Sequence, residues 1–192
     1  MPERNDAALA FLASRRSRPA KTLSGPVPDA EEIRRLLTYA ARTPDHGKLE
    51  PWRFIVLDKA ALARLAETVA PRGAALGKEP EQIEKMHAQF GNADLAVAVI
   101  SSPVQSPKIP EIEQVLSAGA VCLALLNAAL ASGWGANWLS GWISHDPAWR
   151  EAALGLEPHE TVAGFIHLGT ETATPPERPR PDIDRVTTWV SA

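Results

Sequence analysis

Between Glu111 and Ser132 the chain carries its longest helix candidate, and that stretch is apolar almost all round: Val115, Leu116, Val121, Leu123, Leu125, Leu126 and Leu130 fall on every side of it. A helix without a polar face must be covered on all sides, by the core of its own chain or by a subunit interface. A bilayer is the third possible cover. Gln114, Ser117 and Asn127 interrupt the run, however, and its unbroken apolar length falls short of the ~18–20 residues a membrane span needs. The rest of the chain is therefore expected to wrap around this helix.

The wrapping elements can be read in order. Residues 7–14 form a short apolar helix of good helix formers that runs into Arg15-Arg16-Ser17-Arg18-Pro19. Asp29 and Glu32 have the spacing of a capping box, and Ile33, Leu36, Leu37 and Ala40 then recur on one helical face. Residues 52–57 alternate and branch like a strand. Asp58 caps a helix with Leu62, Leu65 and Val69 inward, and the segment Pro71 to Pro80, rich in glycine, alanine and proline, reads as a bend or mobile piece. A polar helix is expected over 79–90. Residues 95–100 are a continuous apolar strand. After the long helix, Gly133 is a stop signal, residues 136–141 read as strand and turn, and Trp134 and Trp142 read as packing residues. Asp146-Pro147 opens a short helix that Gly155 ends. Residues 161–169 form a third buried strand, in which His167 is expected to pack with a satisfied ring.

Composition narrows the function. The chain of 192 residues suits one domain, 1–192. A net charge of −3 argues against nucleic acid or an anionic membrane as the main partner. The single cysteine, Cys122, excludes an intrachain disulfide and a cysteine zinc cluster. It lies in the apolar helix, where a small buried hydrophobe is expected. The five histidines show no short metal-ligand spacing, so no metal site is expected. There is no dinucleotide fingerprint, Walker loop or nucleophile elbow. The N-terminus lacks the apolar core of a secretion signal, which makes a cytoplasmic location the expectation.

One loop is too elaborate for a plain helix-to-strand link: Arg42-Thr43-Pro44-Asp45-His46-Gly47-Lys48-Leu49-Glu50-Pro51-Trp52-Arg53. Pro44 pushes Thr43 out of helical geometry, Gly47 can take positive φ, and Pro51 stiffens the entry to the strand. A rigid connector and a functional loop are both consistent with this. At Arg15-Arg16-Ser17, a solvated helix end and an anion site of guanidinium forks and a hydroxyl are likewise both open. The tail Thr174-Pro175-Pro176-Glu177-Arg178-Pro179-Arg180-Pro181 reads as a proline-rich extended arm.

Taken together, these stretches resemble the nitroreductase family, in its small YdjA-like branch. The loop matches the family segment that runs from an alanine-proline-aspartate-histidine to a proline-tryptophan-arginine-phenylalanine. Arg15-Arg16-Ser17 resembles its opening motif, Glu113-Gln114 with Ser117-Ala118-Gly119 resembles the helix start beside the flavin pocket, and Trp138-Leu139-Ser140-Gly141 resembles the stretch at the flavin edge. The chain departs from many relatives at Leu139, where they carry arginine or lysine.

The resemblance implies an α+β fold: an α-β-α sandwich with a central, mostly antiparallel sheet, built as an intertwined homodimer. It also implies FMN, held at its phosphate by Arg15, Arg16, Ser17, Arg178 and Arg180. Backbone donors of Trp138, Leu139, Ser140 and Gly141 would face the redox-active nitrogen, with Gly141 permitting the close approach. Arg42 and His46 would reach the FMN of the partner protomer. The implied reaction is hydride transfer from NADH or NADPH to the flavin, then reduction of a nitroaromatic or quinone-type acceptor in a ping-pong cycle, with no catalytic side chain required. Two rivals stay open: a flavoprotein of this fold with other chemistry, such as flavin breakdown or heterocycle dehydrogenation, and a non-catalytic FMN-binding module.

Overall fold

A computed structural model describes residues 3–191, so Met1, Pro2 and Ala192 of the expected domain lie outside the described residues. The elements follow one another as α1 (Asp6–Ser14), β1 (Leu23–Ser24), α2 (Ala30–Ala40), β2 (Trp52–Asp58), α3 (Lys59–Ala75), α4 (Pro80–Gly91), β3 (Leu95–Ser101), α5 (Glu111–Ala131), β4 (Gly135–Leu139), α6 (Pro147–Leu154), β5 (Thr161–Glu171) and α7 (Ile183–Val186). The five strands make one antiparallel sheet in the order β1-β5-β3-β2, with β4 also pairing β5.

Strand β3 is buried over its whole length because it has a hydrophobic layer on each face. Leu95, Val97 and Val99 point into a core with Ile33 and Leu36 of α2 and Val121, Leu125 and Ala129 of α5. Ala96, Ala98 and Ile100 point into a second core with Leu62, Leu65 and Val69 of α3, Met86 and Phe90 of α4 and Trp149 of α6. Helices on both faces of an antiparallel sheet give the α-β-α sandwich expected from the sequence.

The caps form as read. Asp29 accepts from the Glu32 amide while Glu32 accepts from the Asp29 amide. Asp58 accepts from Ala61 and Asp146 from Trp149. Two buried carboxylates also close the α3 face with paired hydrogen bonds to arginine. Asp146 takes Arg72 at 2.7 Å twice, and Glu160 takes Arg53 at 2.6 and 2.7 Å. The hydrogen bonds from Arg53 hold the Glu160 carboxyl down at about 2.

Two expectations are corrected. The bend expected from Pro71 onward begins later: α3 continues through Pro71 to Ala75, and the chain turns only at Leu76–Glu79 before α4. Pro71 lies on the exposed side, where water can take the carbonyl that its missing N–H leaves free. On the inner side Gly73 meets α4 so closely that a Cβ would come within 2.5 Å of Ile83, and the Arg72–Asp146 pair holds this last turn in place.

The second correction concerns His167. Its ring is buried opposite Ala96 and Asn137, yet neither nitrogen has a hydrogen-bond partner. The neighbouring amide is committed elsewhere, since Asn137 Nδ2 donates to the Arg18 carbonyl at 2.5 Å.

Burial pushes the His167 imidazole down to about 4. The unfolded chain therefore binds a proton at this residue from about pH 6.5 downward while the folded chain does not. The neutral ring's contribution is fully present above that pH and is lost as pH falls towards 4, by about 3 kcal/mol in all. Urea unfolding at pH 7 and pH 4.5 should show wild type losing about 2–3 kcal/mol more than His167→Leu between the two conditions. Equal losses would mean that the ring does not stay neutral when folded.

Candidate functional site

The sequence-marked residues assemble into two groups at opposite ends of α5. The first forms where α1 ends. Arg15 Nη2 donates to Ser17 Oγ at 3.2 Å, Arg16 Nη1 donates to the Ser17 carbonyl at 3.3 Å, and Arg180 Nη2 reaches back from the tail to the Arg15 carbonyl at 3.4 Å. The backbone is tied to the sheet next door, the Arg18 amide donating to Ala136 at 2.9 Å. A cavity of about 240 Å³ opens here, lined by Phe11, Arg15, Arg16, Arg18, Trp134 and Glu171 among others.

This group is electrostatically incomplete. The Nε–H groups of Arg15 and Arg16 are buried without partners. Burial, then the facing charges of Arg180 and Arg16, pull the Arg15 guanidinium below its ordinary value. Cations gathered with unspent donors favour an anion of several acceptor oxygens, and phosphate is the best match to guanidinium forks. Two carboxylates missed in the sequence reading stand nearby. Glu171 pairs with Arg18 at 3.2 Å, and Glu177 pairs with Arg180 at 2.8 Å. The Arg178 amide, with Arg180 and Arg16 adding their charge, holds Glu177 below the usual carboxylate range. The Arg178 backbone therefore joins this group, whereas no hydrogen bond or ion pair of its side chain is found among the described residues.

From this end, β4 runs back along the sheet and brings Trp138 over β5. Trp138 Nε1 donates to the Ala163 carbonyl at 3.3 Å, and the indole lies so close over Gly164 that any Cβ there would overlap it. Trp138 remains 37% exposed. Leu139 and Ser140 lead into a turn in which the Gly141 amide donates to Ser144 Oγ at 3.3 Å. The Gly141 donor is used within the turn in this structure. The glycine is required by Met86, whose Sδ would lie 2.7 Å from a Cβ at that position.

The second group is the Arg42–Arg53 loop, packed against the other end of α5. Ser117 Oγ donates to the Pro44 carbonyl at 2.9 Å and accepts from Trp52 Nε1 at 3.3 Å. His46 Nδ1 lies 2.6 Å from Glu113 Oε2, a pairing the sequence does not announce because the two residues are far apart in it. Arg42 is exposed and His46 largely so. A cavity of about 940 Å³ is also at this end, between the Pro103–Pro110 segment, Gln114 and His159.

Among the described residues no hydrogen bond joins the loop to the arginine group. The reason is α5 itself. Glu113 and Ser117 lie in its first turns, and Leu130, which lines the arginine cavity, lies in its last. At ~1.5 Å per residue the helix separates the two groups by roughly 25 Å. A stripe of Ile112, Leu116 and Leu123, with Val115 beside it, is left exposed along the same helix. The all-round apolar helix is thus covered by its own chain on one side only. By length and composition alone it would pass for a membrane span, but its inner side is packed in the core.

Comparison with known proteins agrees with this architecture. The Nitroreductase family model matches residues 12–170. An Escherichia coli (strain K12) protein named "Putative NAD(P)H nitroreductase YdjA" is 33% identical over 163 residues, 85% of this chain and 87% of its own. Among solved structures, a nitroreductase-like protein from Bacillus cereus superposes with a TM-score of 0.76 at 20% identity, covering 100% of both chains. The FMN and NADPH-dependent nitroreductase NfnB from Sphigopyxis sp. strain HMH gives 0.73 at 17% identity, over 96% of this chain and 99% of that one. The chain belongs to the nitroreductase family and is an oxidoreductase.

Proposed function

We propose that the protein is an FMN-dependent oxidoreductase that takes hydride from NADH or NADPH and reduces nitroaromatic or quinone-type acceptors by a ping-pong mechanism. The observation that carries this reading is the cluster of Arg15, Arg16, Ser17 and Arg180 with its unspent guanidinium donors. It fits a terminal phosphate. Arg178, in the same segment of the arm, joins the phosphate ligands on this reading.

The flat, half-exposed face of Trp138, with Leu139, Ser140 and Gly141 following, suits the edge of an aromatic ring system. Bound FMN supplies the chemistry, accepting and releasing hydride. The chain's residues hold and orient it, and no acid–base pair among them is required. The names of the E. coli relative and of the Sphigopyxis enzyme point the same way for nicotinamide and flavin.

The site is completed by a second copy of the chain. His46, paired with Glu113, is roughly 25 Å of helix away from the arginine cluster of its own protomer. Two copies packed through the exposed stripe of α5 would bring each loop to the other's cluster. Exposed Ile183, Val186, Trp189 and Val190 give the C-terminal arm a further apolar surface for such a partner.

The test is the absorption spectrum of the purified protein, followed by anaerobic titration with each nicotinamide. The expected result is one FMN per protomer, bleached by NADH or NADPH and reoxidised by a nitroaromatic. FAD should not substitute, because its adenylate extends from the phosphate that the cluster encloses. A flavin that no nicotinamide reduces would remove the oxidoreductase reading, and FAD binding at equal occupancy would remove the terminal clamp.

A further inference from the structure

The loop that carries His46 is held in a strained shape. Gly47, Lys48 and Glu50 have φ of 75°, 54° and 49°. Non-glycine residues keep such values only where surrounding contacts over-determine them, commonly at ligand sites. Those contacts are present. Asp45 Oδ2 accepts the Glu50 amide at 2.6 Å, Ser117 holds Pro44, and the Ile109 side chain fills the space over Gly47. Ile109 belongs to a segment that Gln114 secures through both the amide and the carbonyl of Val104, at 2.9 and 3.0 Å. Every one of these bonds fixes backbone. The contact between His46 Nδ1 and Glu113 Oε2 instead fixes a side chain.

An exposed pair of this kind adds little to stability. Its effect is on which nitrogen carries the proton. An ionised carboxylate only accepts, so Nδ1 must be the N–H, and in the neutral ring Nε2 is left as the acceptor. Among the described residues nothing is hydrogen-bonded to Nε2, and the His46 side chain is 63% exposed.

We propose that Glu113 is a positioning residue of the flavin site: it fixes His46 as the Nδ1–H tautomer, so that Nε2 accepts a hydrogen bond from an N–H or O–H group of the bound flavin. This rests on the FMN reading above. It assigns Glu113 a role that acts entirely through His46.

The test is Glu113→Gln, a near-isosteric change at an exposed position. The Gln amide can donate to Nδ1 as readily as accept from it, so the tautomer is no longer selected. Long-range ¹H–¹⁵N spectra of ¹⁵N-histidine protein without flavin, recorded in alkaline solution and assigned against His46→Ala, should show His46 protonated at Nδ1 in wild type. In Glu113→Gln the proton should move substantially to Nε2. FMN affinity, read by quenching of flavin fluorescence, should fall about tenfold in Glu113→Gln. The same substitution in a His46→Ala background should change nothing. A His46 protonated at Nε2 in a wild type that binds FMN would overturn this proposal alone, as would an equal loss in the His46→Ala background. A wild type that binds no FMN but keeps the Nδ1–H tautomer would overturn the flavin reading and, with it, the role assigned to Nε2.

Discussion

Replacing Arg15 by alanine should weaken FMN binding by about one to two decades, because each charge-assisted arginine–phosphate hydrogen bond contributes roughly 1.5–3 kcal/mol. The structure gives a reason to expect the upper part of that range. Arg15 is the member of the cluster that burial and two neighbouring cations already disfavour, and its Nε has no partner within the chain. A phosphate would relieve both conditions, and alanine would remove the group that gains most from it. Riboflavin provides the control. It lacks the phosphate, so it should bind wild type poorly and lose little more in the variant. Fluorescence quenching measures both ligands, and equal losses for the two would place Arg15 away from the phosphate.

Mixing two defective proteins should restore flavin binding that neither has alone. Arg15→Ala spoils the arginine cluster and His46→Ala spoils the loop. At flavin concentrations that fill neither homodimer, a heterodimer of the two retains one site with both groups intact. Random exchange at equal amounts makes half the dimers mixed, so roughly a quarter of wild-type sites should return. The expectation follows from the length of α5, which keeps the two groups of a single chain apart. Bound flavin counted after exchange, with subunit mixing verified by a mass tag, decides the matter. Verified exchange without recovery would mean that both groups serve one protomer.

Much of the fold was legible because its signals are local. The Asp29–Glu32 box, the Asp58 and Asp146 caps and the Gly133 and Gly155 stops each need only a few consecutive residues, and each forms as read. What failed depended on residues distant in sequence. Pro71 reads as the start of the bend until Arg72 is seen to reach Asp146 and Gly73 to face Ile83. His167 reads as satisfied because buried imidazoles usually are, and only strand register shows that Asn137 beside it is already committed to Arg18. The arginine motif and the loop could each be found by resemblance, but their places along α5 could not. Nor could the partners of the carboxylates Glu113 and Glu177, since periodicity within a helix or an arm says nothing about which distant cation or imidazole it meets.

Helix α5 also acts as a ruler. On the two-chain reading, one end carries the anchor for the loop and the other borders the arginine cluster, so its length sets the span between the halves that a partner must bridge. Adding a residue would lengthen that span by ~1.5 Å and swing everything beyond it through about 100°, turning the exposed stripe out of line with itself. Two-fold symmetry would impose the same error on both sites at once. Such a helix is the least adjustable part of the molecule for an evolving enzyme. Variation in what the enzyme accepts has freer ground in segments such as Pro103–Pro110, which border a cavity without setting the gauge of the dimer.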